Sequence, residues 1–179
     1  RIKQDYFVGN SFLGLMTTSS IDDSAHIVSL DGMVNLLDNQ ISIDGQAVLS
    51  SDKKRGVLGN ITYSPLGYFS TWIDYQKYET GLDLHHLGYL WRDNYSQIKT
   101  GIKFQDQEQR GFIRSSAIIL EGDIEENSDG LNLGKTLELS YDAMLTNFWK
   151  IGGGFYRVLE HQDDREIFSY YSIDMFGPT

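Results

Sequence analysis

The sequence predicts an all-β protein, an antiparallel up-and-down transmembrane β-barrel of about ten strands. Three observations predict it. Apolar and polar residues alternate along most of the chain, nothing repeats at helical spacing, and the alternating segments follow one another through turn-like joins. Composition agrees, because 18 Gly against two Pro and 13% aromatic residues suit strands with open turns. The 179 residues are read as one domain, 1–179, that is either a complete barrel or a segment of a larger one.

The segments run in order. Ser11–Thr18 has strand character. His26–Leu37 sets Val28, Leu30, Val34 and Leu36 opposite Ser29, Asp31 and Asn35. Asp38-Asn39 follows, a pair suited to positive φ and hence to a tight hairpin. Gln40–Ser50 is the clearest alternation, with Ile41, Ile43, Gly45, Ala47 and Leu49 on one face and Ser42, Asp44, Gln46, Val48 and Ser50 on the other. Gly56–Tyr63 and Tyr68–Tyr75 flank the turn Ser64-Pro65-Leu66-Gly67, and Tyr95–Phe104 sets Ile98, Ile102 and Phe104 against Gln97, Lys99 and Lys103. Asn132–Tyr141 and Phe148–Glu160 are further strands. In Arg110–Glu121 and Arg165–Phe176 either face has apolar residues, and the pattern weakens.

The joins fall at 19–25, 38–39, 51–55, 64–67, 76–94, 105–109, 122–131, 142–147 and 161–164. Most alternate members are the longer ones, so one end of the sheet is expected to hold short turns and the other longer loops, as in outer-membrane barrels. Join 161–164 departs from the rule.

Alternation alone fits a soluble sheet as well as a membrane one. In a soluble sandwich or lipocalin-like barrel the oily face forms a dry core, whereas in a membrane barrel it meets lipid and the inside is wet. Aromatics favour the membrane. Tyr63, Tyr68, Phe69, Phe104, Tyr141, Phe148 and Trp149 crowd the short-turn end, and Tyr75, Tyr78, Tyr89, Trp91 and Tyr95 the long-loop end, as two interfacial girdles would. The oily faces are expected to carry no charge in mid-strand, Lys135 lying near a strand end from where it can snorkel. The polar face holds Asp31, Asp44, Asp74, Lys99, Lys103 and Lys150, the candidate lumen-lining residues, together with Glu138.

Several chemistries are set aside. A net charge of −10 argues against nucleic acid as a partner, and the absence of Cys removes disulfides, thiolate metal sites and a thiol nucleophile. No apolar run approaches the roughly 20 residues of a membrane helix. With Arg1 first and no apolar signal core, any targeting segment is expected to have been removed or cropped. Asp123–Gly130 resembles the start of a calcium loop, but Thr136 stands where a bidentate Glu should close it, so a solvated hairpin loop is expected. His85-His86 and His161 with Asp163-Asp164 have metal-binding donors, yet adjacent His on a strand point to opposite faces. Ser11 lacks the setting of a nucleophile elbow, and Gly152-Gly153-Gly154 reads as a bend, bulge or close approach in a strand. Neither catalytic residues, metal site nor cofactor is expected.

A resemblance extends across whole segments. Ile27-Val28-Ser29-Leu30-Asp31-Gly32-Met33-Val34-Asn35-Leu36-Leu37-Asp38-Asn39, then Ser42-Ile43-Asp44-Gly45-Gln46, then Leu87-Gly88-Tyr89-Leu90-Trp91-Arg92-Asp93, Asn147-Phe148-Trp149, and Glu160 with Asp164-Arg165 resemble segments of one family. It is an uncharacterised outer-membrane domain of Gram-negative bacteria that commonly follows a module similar to family-9 carbohydrate-binding domains. The matches spread from about Phe7 to Arg165 and are short. The resemblance implies a porin-like β-barrel in the bacterial outer membrane and no catalytic residues. Its partners would be the lipid bilayer and, in the full-length protein, a carbohydrate-binding domain. The family's domain is longer than this chain, and Met175-Phe176-Gly177-Pro178-Thr179 lacks the terminal aromatic of barrel assembly signals, so a segment of a larger barrel is expected. The expected role is a pore or transport barrel, or a membrane-anchoring scaffold displaying the loop Gln76–Asn94; the alternative is a soluble antiparallel β-sandwich or lipocalin-like ligand-binding module.

Overall fold

A computed structural model describes residues 2–6, 11–19, 26–65, 67–82, 93–162 and 165–176. All regular structure among them is strand: β1 Ile2–Tyr6, β2 Ser11–Ser19, β3 His26–Leu36, β4 Ile41–Ser50, β5 Arg55–Tyr63, β6 Phe69–Tyr78, β7 Tyr95–Asp106, β8 Ile113–Glu126, β9 Asn132–Leu145, β10 Lys150–Gln162 and β11 Arg165–Phe176. They form one sheet in sequence order, each strand antiparallel to its neighbours. Eleven strands replace the expected ten, because β1 had no legible alternation and is made a strand by its pairing with β2.

Strands touch only their sequence neighbours, so no second sheet packs on this one and β1 does not meet β11 among the described residues. The sheet is up-and-down and open, without the two facing layers a sandwich requires.

The β3–β4 hairpin forms as its residues dictate. Leu36 pairs with Ile41, Gln40 N–H donates to Leu37 O at 3.1 Å, and Asp38 and Asn39 take φ of 54° and 66°, the left-handed pair of a type I′ turn. The expected contrast between short and long joins is weaker than the sequence implied. Strand β6 continues to Tyr78 and β8 to Glu126, which shrinks their following connections to 79–94 and 127–131. Only 79–94 stands out in length. Asn127 accounts for the shortening at 127–131. Its backbone exchanges bonds with Leu131 and Gly130 while its side-chain oxygen accepts from the N–H groups of Asp129 and Leu131, both at 2.9 Å. The acidic spacing of 123–130 is therefore strand followed by turn.

Exposure is inverted relative to a soluble sheet. Ile43, Ile61, Ile73, Ile98, Ile118, Leu120 and Leu139 are all exposed, Ile73 at 51%, while Asp44, Asp74, Lys99, Glu121 and Asp123 on the other face are all partly buried. Among the described residues no second sheet packs on either face, so the exposure difference implies curvature: the side chains of the polar side crowd together as on a concave surface, and those of the apolar side stand apart as on a convex one. Buried apolar side chains among the described residues are few, namely Leu82, Tyr95, Leu133 and Ala143. What holds this sheet is its backbone ladder and its polar lattice rather than an oily core.

Candidate functional site: the concave polar face

All six lumen candidates lie on the concave face, but not in one place. Asp44, Asp74 and Lys99 share a single hydrogen-bonded row that reads Met33, Asp44, Asn60, Asp74, Lys99, Asp123, Thr136 across β3 to β9. Asp31 stands one row away, opposite Gln46. Lys103 is two rows away in the other direction, opposite Ser70 and Ile119. Lys150 lies apart, at the exposed start of β10 opposite Met144.

The alternation of β6 and β7 brings the central groups together, because register fixes which residues meet. Asn60 Nδ2 donates to Asp74 Oδ1 at 2.5 Å, and Thr62 Oγ1 donates to Asn60 Oδ1 at 2.9 Å. Lys99 Nζ crosses diagonally to Glu121 Oε1 at 2.6 Å, with the two side chains 37% and 22% exposed. In the adjoining row Gln76 Nε2 donates to Gln97 Oε1 at 2.7 Å, and Gln97 Nε2 and Tyr95 Oη both donate to Glu125 Oε1, at 3.1 and 2.9 Å. Asp74, Glu121 and Glu125 thus each meet a side-chain donor. The arrangement is a connected polar lattice with more carboxylates than cations, since Asp31, Asp44, Asp74, Glu121, Asp123, Glu125 and Glu138 face Lys99, Lys103 and Lys150.

Crowding on this side is relieved by glycine. A methyl at Gly101 would collide with the Trp72 indole, one at Gly56 would come within 2.8 Å of Tyr78, and one at Gly14 within 2.8 Å of the Asp31 carboxylate. Large side chains lie flat over bare backbone, which a concave surface demands. Gly154 under the Tyr156 ring repeats the device and accounts for part of the Gly152–Gly154 run.

Sequence reading missed several members. Glu121, Asp123 and Glu125 sit in a strand whose Ala117-Ile118-Ile119-Leu120 run is apolar on both faces, so parity was not legible there without the pairing to β7. Tyr78 and Tyr95 were expected in an outer girdle. They instead face inward, opposite Gly56 and each other, with Tyr95 only 5% exposed. Tyr89 and Trp91 lie outside the described residues, as do His85, His86, Asp163 and Asp164. Ser11 is buried and its Oγ accepts from Asn35 N–H at 3.0 Å, a structural bond.

The convex face carries its own order. At the short-turn end Tyr63, Phe69 and Phe104 touch in sequence, with ring centroids 6.3 and 5.2 Å apart, and Tyr68, Phe112, Tyr141, Phe148 and Trp149 are exposed beside them. Arg114 lies 4.7 Å over the Phe148 ring. Thr71 and Thr100 hide their hydroxyls by donating to Gly101 O and Trp72 O across the ladder, at 2.9 and 3.0 Å. The expectation of no charge in mid-strand, Lys135 near a strand end apart, is corrected by Arg157, which lies within β10 on this face. Arg55, Lys77, Lys135 and Arg157 all stand on the convex face.

Those four residues step across the sheet. Arg55 shares a row with Val28, Lys77 the next with Val57, Lys135 the next with Ile124, and Arg157 the next with Leu137. Following Arg157's row back to β5 reaches Ile61, six residues along from Arg55. Six residues are roughly 20 Å along a strand and five strand spacings about 24 Å across, so this edge is inclined about 40° to the rows. The aromatic edge steps in the same sense, from Tyr63 on β5 to Tyr141 one row further on β9.

No family profile, curated protein or solved structure matches the chain.

Proposed function

We propose that the chain forms the wall, or a run of the wall, of a transmembrane β-barrel in a bacterial outer membrane, a porin-like passage or anchor and not an enzyme. The observation that carries the reading is the oblique apolar band. A level membrane crosses strands tilted by about 35–45° at successive rows; the band's charged edge shifts with about that inclination, and its aromatic edge shifts in the same sense by a smaller angle of about 20°. From Arg55 to Tyr63 the band is roughly 27 Å long on the strand, or about 21 Å along a normal at that tilt, near the ~25 Å of an outer-membrane barrel. A water-facing sheet has no reason to keep such a margin. The Thr71 and Thr100 hydroxyls, bonded to backbone, also suit a surface without water.

Ten antiparallel pairings in series leave β1 and β11 running in the same direction. Closing on each other would make a parallel seam; an all-antiparallel barrel uses an even number of strands, so closure of that kind needs an odd number of additional strands at the seam. Unpaired edges in hydrocarbon are costly, and in this reading the seam is filled.

Asp44, Asp74 and Lys99 then line the lumen at mid-height, with Asp31 and Lys103 above and below and Lys150 at the short-turn mouth. The excess of carboxylates favours cations over anions in transit. The test is planar-bilayer conductance of protein refolded into lipid. Channels with cation preference support a passage. Inserted protein that never conducts leaves the anchor, whose contact surface would be the 79–94 connection. A monomer that is folded and soluble without detergent removes both.

A further inference from the structure

Resting on that membrane reading, we propose that the convex face carries a binding site for a phosphate-headed anionic lipid between β3 and β6, at the edge opposite the aromatic girdle. Two adjoining depressions lie there. The first, about 630 Å³, is walled by Val28, Leu30, Leu49 and Val57 and has Arg55 and Lys77 at its rim. The second, about 500 Å³, shares Leu30, Ala47 and Val57 with it and continues toward the row Gly32–Gly45–Gly59, where three consecutive strands present no side chain. Together they make an apolar slot that begins at two cations and runs down the strands into the band. That is the shape and polarity of an acyl chain joined to an acidic head.

Charge supports the same occupant. The chain as a whole is at −10, so a general attraction for anions is absent, yet Lys53 and Lys54 in the preceding turn add to Arg55 and Lys77. Glu79 also lines the rim, its Oε2 accepting the Arg55 backbone N–H at 3.0 Å, and Asp52 stands in the same turn, but four cations against two carboxylates leave the local charge positive. Basic groups at a headgroup level attract acidic lipids, and one each side of a phosphate can bond it directly. A zwitterionic lipid would leave the two cations facing its own ammonium.

The experiment uses the chain inserted in phosphatidylcholine nanodiscs doped with phosphatidic acid, with retained lipid counted by native mass spectrometry. Wild type should enrich phosphatidic acid. The double variant R55Q/K77Q should lower that preference about 30-fold, from roughly one headgroup-level charge contribution per residue removed. Ala47→Trp, which fills the slot without touching charge, should lower it too, while Arg110→Gln at the opposite edge should leave it unchanged. Equal retention of both lipids by inserted wild type, or full preference in R55Q/K77Q, overturns the site and leaves the membrane reading standing. Displacement of the lipid by millimolar inorganic phosphate would also overturn it, in favour of a free-phosphate site. Protein that stays folded in water without lipid defeats the membrane reading itself and the site with it.

Discussion

Replacing Ile73 by Arg asks which solvent the convex face meets. Ile73 lies midway on β6 between Lys77 and Phe69, the two residues that bound the apolar band on that strand, and it is 51% exposed. It pairs with Ile61 and Thr100, so no packed partner is lost beyond those rows. If the face meets water, a half-exposed isoleucine can become arginine with a change within about 0.5 kcal/mol. If it meets acyl chains, an Arg at the midplane of a barrel costs about 2–4 kcal/mol. Leu36→Arg is the internal comparison, because Leu36 is similarly exposed but sits beside the β3–β4 turn, where the cost falls to roughly 0–1 kcal/mol. The assay is reversible denaturant titration of protein folded into short-chain phosphatidylcholine vesicles, followed by tryptophan fluorescence. The reasoning predicts Ile73→Arg to be worse than Leu36→Arg by at least about 1 kcal/mol. Equal and small effects would refute it.

Other perturbations address the concave face and the turns. Lys99→Met strands Glu121 without its cation; with water in the lumen the loss should stay near 1 kcal/mol, whereas a dry interior would cost about 3–5 kcal/mol, and the same titration separates the two. Gly101→Ala forces the Trp72 indole off its strand and should destabilise by about 1–3 kcal/mol, with Trp72→Leu recovering part of the loss in a double-mutant cycle; additive effects would contradict the contact. Leu37→Gly removes a β-carbon from a residue at φ 51° in an exposed turn and should stabilise the chain by up to about 1 kcal/mol, read as a shift in denaturation midpoint; a loss of stability would show that the side chain anchors the turn.

Strand existence was legible because one-face solvation writes a period of two into sequence. Gln40–Ser50 and Tyr95–Phe104 emerged nearly as read, and the six lumen candidates fell on one face because parity within a strand is sufficient to assign them. Three features lay beyond that reach. Strand β1 has no period, and only its neighbour makes it a strand. In β8 the Ala117–Leu120 run is apolar on both faces, so Glu121, Asp123 and Glu125 join the lattice through register with β7. The margin formed by Arg55, Lys77, Lys135 and Arg157 is invisible one strand at a time, since the four residues belong to four different rows. Sequence also misassigned Tyr78 and Tyr95, which share the inward parity of Asp74 and Lys99; Tyr78 lies over the bare backbone of Gly56, and Tyr95 pairs with Tyr78.

Lipid contact can be read directly by a nitroxide scan of 71–77, made simple by a chain without cysteine. Spin labels at 71, 73, 75 and 77 should collide more with dissolved oxygen, which partitions into hydrocarbon, most strongly at 73. Labels at 72, 74 and 76 should respond to a water-soluble nickel chelate. Equal access of the chelate to both sets, or its preference for the odd positions, would contradict the account.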